Sequence, residues 1–101
     1  MIDLSKKSSH ELYKIKLYDG TVLKLKKPTQ SMLTKLLELS QIDNYDIDIF
    51  NDIFSIVTMI FNRNNNGVLF TQKEIEEMLD LDIAMTVIQD YLKDAMNVLG
   101  K

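Results

Sequence analysis

Apolar and charged positions alternate along the first part of the chain: Tyr13, Ile15 and Leu17 are separated by Lys14 and Lys16, and the alternation returns from Val22 to Lys27, beyond Asp19-Gly20. A period of two is the signature of a strand with one face buried, so residues 12–27 predict a β-hairpin. Its register follows from the same pattern. A two-residue Asp-Gly loop sets Leu17 opposite Val22 and Ile15 opposite Lys24, which mixes apolar and charged groups on one face. A three-residue loop, Tyr18-Asp19-Gly20 with Gly20 left-handed in a bulge, pairs Leu17 with Thr21, Ile15 with Leu23 and Tyr13 with Leu25. Every lysine from Lys14 to Lys26 then faces solvent. A lone two-stranded ribbon is marginal in water, so its apolar face requires helices to cover it.

The rest of the chain changes period. After Pro28-Thr29, Met32, Leu33, Leu36 and Leu37 recur at helical spacing and predict a first helix over residues 30–41 with Thr29 as its cap. Asp43-Asn44-Tyr45-Asp46 is a loop or a cap. A second helix over residues 47–62 carries Ile49, Phe50, Ile53, Phe54, Ile56, Val57, Ile60 and Phe61, with only a narrow polar stripe of Asp48, Asn51, Ser55, Thr58 and Asn62, and reads as the central rod of the core. The run from Asn62 to Gly67 is a turn cluster, and Val68-Leu69-Phe70 anchors the chain again. Thr71-Gln72-Lys73-Glu74 is a capping box, so a short third helix starts there and ends near Leu79. Asp80 or Asp82 caps a last helix whose face is Met85, Ile88, Leu92, Ala95, Met96 and Leu99, with Gly100 as terminator. The predicted order is ββαααα. This is an α+β, mainly α class: an N-terminal β-hairpin packed on a four-helix, mostly antiparallel bundle, with residues 1–11 a flexible segment and 12–101 one domain.

Length permits no more than that one domain, since 101 residues bury roughly 65% of their unfolded surface. The absence of cysteine removes disulfides, thiolate metal sites and a Cys nucleophile, and points to the reducing cytoplasm. No signal-peptide pattern opens the sequence, and the apolar run over residues 53–61 is too short to span a bilayer, so no membrane is expected. Charge is unevenly spread. Residues 1–36 hold eight lysines against Asp3, Glu11 and Asp19, a balance of +5, whereas residues 37–101 hold four basic against twelve acidic groups, a balance of −8. By sequence the molecule is two-ended.

Catalytic chemistry finds few parts. His10 is the sole histidine and reads as a solvated surface group, so Ser-His and Cys-His arrangements and zinc sites lack their components. Asp43, Asp46, Asp48 and Asp52 are the densest carboxylates. They do not follow calcium-loop spacing, and helix capping accounts for them better than a metal or paired-acid site. No glycine-rich phosphate loop is present. A non-enzyme without a cofactor is expected.

Two groups remain as candidate contacts. Lys14, Lys16, Lys24 and Lys26 form a cationic face that a phosphate backbone, another anion or the acidic half of a second copy would suit. Scarce arginine, no aromatics among the lysines beyond Tyr18 and negative net charge argue against nucleic acid. Methionine adapts to irregular cores and to partner surfaces alike. Met78, Leu79 and Leu81, together with Met85, sit beside an acidic helix start and read as a partner-binding groove or knob.

The order and flavour of these segments carry a resemblance: a lysine-rich hairpin ending in Leu-Lys-Lys-Pro-Thr, then Met-Leu-Thr-Lys-Leu-Leu-Glu-Leu, an apolar helix, Thr-Gln-Lys-Glu-Ile-Glu-Glu-Met-Leu-Asp-Leu-Asp and an amphipathic last helix. Over residues 12–99 this resembles the small tail assembly chaperones of long, non-contractile-tailed bacteriophages and prophages. The resemblance implies a protein that binds and solubilises the tape measure protein, a very long helical chain, helps recruit tail tube subunits, and works in the bacterial host cytoplasm. Alternatives are a small nucleic-acid-binding regulator using the basic hairpin, or a stoichiometric inhibitor of a host protein.

Overall fold

The hairpin adopts the register that its apolar face demands. A computed structural model describes residues 13–99. In it β1 (Tyr13–Lys16) and β2 (Val22–Leu25) pair antiparallel, Tyr13 opposite Leu25 and Ile15 opposite Leu23. The three-residue loop closes through the Gly20 amide on the Leu17 carbonyl (2.9 Å) and the Leu17 amide on the Thr21 carbonyl (2.7 Å). Gly20 takes φ +92°, a left-handed value that a side chain would resist. The Asp19 carboxylate accepts from the Thr21 amide (2.9 Å), which holds its carboxyl below the usual range. Leu23 and Leu25 are buried while Lys14, Lys16, Lys24 and Lys26 are exposed. The expected flexible segment, residues 1–11, lies outside the described residues, as do His10 and Gly100.

Four helices follow: α1 (Gln30–Ser40), α2 (Ile47–Phe61), α3 (Gln72–Met78) and α4 (Leu81–Leu99). Their starts are set by side chains that accept the otherwise unpaired first-turn amides. Thr29 accepts from Met32 (3.3 Å), Asp46 from Ile49 (2.9 Å), and Asp80 from Ile83 (2.9 Å). So Asp46 is a cap and not merely loop, and Asp80 rather than Asp82 starts α4. The capping box forms as read, Thr71 accepting the Glu74 amide (3.2 Å) and Glu74 the Thr71 amide (2.9 Å).

α2 packs against α1, α3, α4 and β2, and α4 against α1. The buried face of α4 is Ala84, Ile88, Tyr91, Leu92 and Ala95. This corrects the expected stripe: the buried row runs Ala84, Ile88, Tyr91 and Ala95, its edge drawn in at Leu92, and Met96 farther along that edge is 46% exposed. Met85 is only half-buried at the margin, and Tyr91 fills the place that the sequence reading gave to aliphatic groups.

Tyr91 ties α4 to the chain leaving the hairpin. Its hydroxyl donates to the Lys26 carbonyl, its ring meets Tyr13 edge-on at 5.5 Å, and Tyr13 donates to Asp90. Beside these, Lys27 pairs with Asp94 at 2.8 Å. Hence the basic and acidic halves of the sequence are not two ends of the molecule, because the hairpin is bound to the acidic half along α4. Burial pushes the Tyr91 hydroxyl up to about 12 against the opposing Arg63 charge, and burial reinforced by the Asp90 hydrogen bond raises Tyr13 further. Both hydroxyls hold their protons more firmly folded than unfolded, so this stability is complete below pH 10 and declines as pH rises from 10 towards about 12. Tyr91→Phe is expected to cost about 1–2 kcal/mol at neutral pH, by leaving the Lys26 carbonyl without its donor. It should also flatten the alkaline decline. Denaturant unfolding of both proteins at neutral and alkaline pH measures the two effects.

Candidate functional site

Ten of the fifteen residues of α2 are apolar, more than a single buried face holds, so part of that arc needs further cover. The protein supplies too little. Its extents are 46 × 30 × 16 Å, and a thin dimension of 16 Å holds about two layers of helix packed roughly 8–10 Å apart, with no third layer to cover the outward side of α2. Ile53, Ile56, Val57, Ile60 and Phe61 go inward. Ile47, Phe50 and Phe54, spaced i, i+3, i+7, line a different surface. Ile47 is 83% exposed and Phe50 39%, with Phe54 half-buried beneath.

These three, with Leu81 from the start of α4 and Asn51 and Glu76 at the polar edge, line an open groove of about 420 Å³. Its rim is organised. The Gln72 side-chain amide donates both to Asn51 Oδ1 (2.8 Å) and to Glu76 Oε2 (2.9 Å), tying α3 to α2. At the other end Tyr45 stacks on Phe50 with ring centres 6.1 Å apart, which fixes the aromatic wall. The floor is therefore apolar and held, while the edge carries a carboxylate. A second, more enclosed cavity of about 230 Å³ lies between the hairpin tip and the α3–α4 junction, lined among others by Ile15, Leu17, Tyr18, Met78 and Ile83.

The four residues expected to form one partner surface are divided between these places. Leu81 lines the groove, Met78 and Leu79 line the second cavity, and Met85 lines neither. Leu79 is 8% exposed, so it serves the core first. The sequence pattern places Phe50 and Phe54 in the core and marks Ile47 only as a helix start; Phe54 does pack against the core, but the surface that the three line together is not predicted. The signal was present in the sequence, as an apolar arc on α2 wider than one buried face requires.

Lys14 and Lys24 stand directly opposite each other across the ribbon, with Lys16 and Lys26 also exposed. Among the described residues none of the four meets a carboxylate, whereas Lys27 and Lys35 do. The aspartates of residues 43–52 do not converge. Asp46 caps α2 and Asp52 faces Lys35 at 3.5 Å, and among the described residues no group of three His, Cys, Asp or Glu is placed to hold a metal ion. No described helix is long and apolar enough to cross a membrane.

Comparison with protein-family models, with curated proteins and with solved structures found no match to this chain.

Proposed function

We propose that this chain is a helix-capturing binding protein, and specifically a tail assembly chaperone of a long-tailed bacteriophage that holds the tape measure protein soluble. The observation that carries the reading is the groove of Ile47, Phe50, Phe54 and Leu81. An i, i+3, i+7 apolar row left open to solvent matches the face of an amphipathic helix, the repeating unit of a long helical client. A capped helix lends the groove rigidity, so little ordering entropy opposes binding. No catalytic group is assigned to the protein in this reading, and recruitment of tail tube subunits belongs to the same proposal.

Co-expression tests it. When the tagged protein is produced with the longest reading frame beside its gene, that long helical product is expected to move from the insoluble to the soluble fraction and to copurify. Unchanged solubility and no copurification would reject the chaperone reading. The exposed lysine face favours a second reading, nucleic-acid binding. That reading requires salt-sensitive DNA or RNA binding that is lost on reversing Lys14, Lys16, Lys24 and Lys26.

A further inference from the structure

We infer that the groove selects its helix by charge: it takes an amphipathic segment whose apolar row is flanked by lysine or arginine, with Glu76 as the residue that reads the flank. The inference rests on the capture reading and adds the chemistry of the partner to it.

Three observations lead there. First, among the described residues Glu76 is the only charged one lining the groove, and the other lining groups are apolar apart from Asn51. Second, its carboxylate is positioned. One oxygen accepts from Gln72, which is itself anchored to Asn51, so the side chain is steered to the rim of the apolar floor. Third, its charge is unanswered. Among the described residues the ion pairs are Lys27–Asp94, Lys35–Glu38 and Lys35–Asp52, none of them at the groove. The elements that form the groove add like charge. α3 carries Glu74, Glu76 and Glu77 against Lys73, Asp80 caps α4 with Asp82 in its first turn, and Asp46 caps α2 with Asp48 in its first turn.

An apolar floor beneath an acidic rim rejects an acidic flank by like-charge proximity and accepts a basic one through a charge-assisted hydrogen bond. Long basic side chains also lay their methylene stems along apolar surface while the charged end reaches outward. A neutral helix would gain the floor contacts alone. Charge therefore adds selectivity to contacts that by themselves discriminate poorly among apolar segments.

Two synthetic helical peptides test this, identical in a leucine and phenylalanine row and differing only in flanks of lysine or of glutamate, titrated against the full chain at low and at high salt. The lysine-flanked peptide is expected to bind about fivefold more tightly at low salt, an advantage that shrinks as salt screens it. Glu76→Gln retains an acceptor for Gln72 and should remove most of that advantage, leaving affinity for the glutamate-flanked peptide unchanged or improved. Equal affinities in the unaltered protein, or a preference that persists in Glu76→Gln, would overturn the assignment to Glu76 while leaving capture by the groove standing. Binding of neither peptide would reject the capture reading, and the charge selection with it. Tighter binding of the glutamate-flanked peptide would overturn the inference and place the contact on the lysine face.

Discussion

Asn64→Ala is expected to destabilise the protein by about 3 kcal/mol, whereas Asn65→Ala, its immediate neighbour in the same asparagine run, should change stability by no more than about 0.5 kcal/mol. The difference lies in what each side chain satisfies. Asn64 is 8% exposed and makes four hydrogen bonds: its amide donates to the Phe61 (2.8 Å) and Val68 (2.7 Å) carbonyls, and its oxygen accepts from the Asn66 (2.9 Å) and Val68 (3.1 Å) amides. Alanine would orphan the Phe61 carbonyl, which is buried beneath the turn, and remove the three bonds that hold the turn's Asn66 and Val68 in place. Asn65 is exposed and contributes its backbone amide, which donates to the Lys24 carbonyl (2.8 Å) and survives the substitution. The consequence reaches beyond the turn. Lys26 donates to the Arg63 carbonyl (3.0 Å), and Leu25 bridges Asn64, so this segment lines the second edge of β2 in place of a third strand. Denaturant unfolding with an unchanged slope and a lower midpoint is the expected signature for Asn64→Ala. Equal effects of the two substitutions would show that the bonds of Asn64 do not hold the turn.

Ile47→Asp separates capture from stability most sharply. Ile47 is 83% exposed at the first position of α2, so its removal from the fold forfeits little burial. A carboxylate there faces the positive end of the helix, a placement worth about 0.3–1 kcal/mol. The variant should be as stable as the parent or slightly more so. Client capture should fall at least tenfold, because a charge set into an apolar contact loses the floor contact and must be desolvated when a helix lands. Phe50→Asp should lose capture as well, with some loss of stability from the broken stack on Tyr45. Stability is read by denaturant unfolding and capture by the yield of soluble client on co-expression.

Legibility differed by element for physical reasons. The hairpin register could be read because only one pairing sorts Tyr13, Ile15, Leu23 and Leu25 to one face, and the structure has that pairing. Caps at Thr29 and Thr71 were equally plain, since few side chains accept a first-turn amide. The face of α4 was legible in part: Ile88, Leu92 and Ala95 are buried as the spacing predicts, whereas Ala84 and Tyr91 join them and Met96 does not. Aliphatic spacing alone could not tell that Tyr91 turns inward to reach the Lys26 carbonyl, a partner 65 residues away in sequence. Asn62-Arg63-Asn64-Asn65-Asn66-Gly67 was legible as a turn but not as an edge for β2, because backbone-to-backbone pairing leaves no side-chain pattern. The groove was legible only as a surplus of apolar positions on α2, for a related reason. Periodicity shows that Ile47 and Phe50 are apolar, but whether anything covers them depends on how α1, α3 and α4 are arranged around α2.

Capture by the α2 groove, as proposed, would bring a helical client against Phe50. Photo-crosslinking from single positions tests it directly, with the crosslinking side chain placed at Phe50 in one protein and at Leu69, which is 82% exposed outside the groove, in another. Co-expressed with the product of the longest reading frame beside its gene, the Phe50 protein is predicted to form a covalent adduct with that product and the Leu69 protein to form little or none. Adducts from Leu69 but not Phe50, or no adduct from Phe50 while the client remains soluble, would contradict capture by this groove.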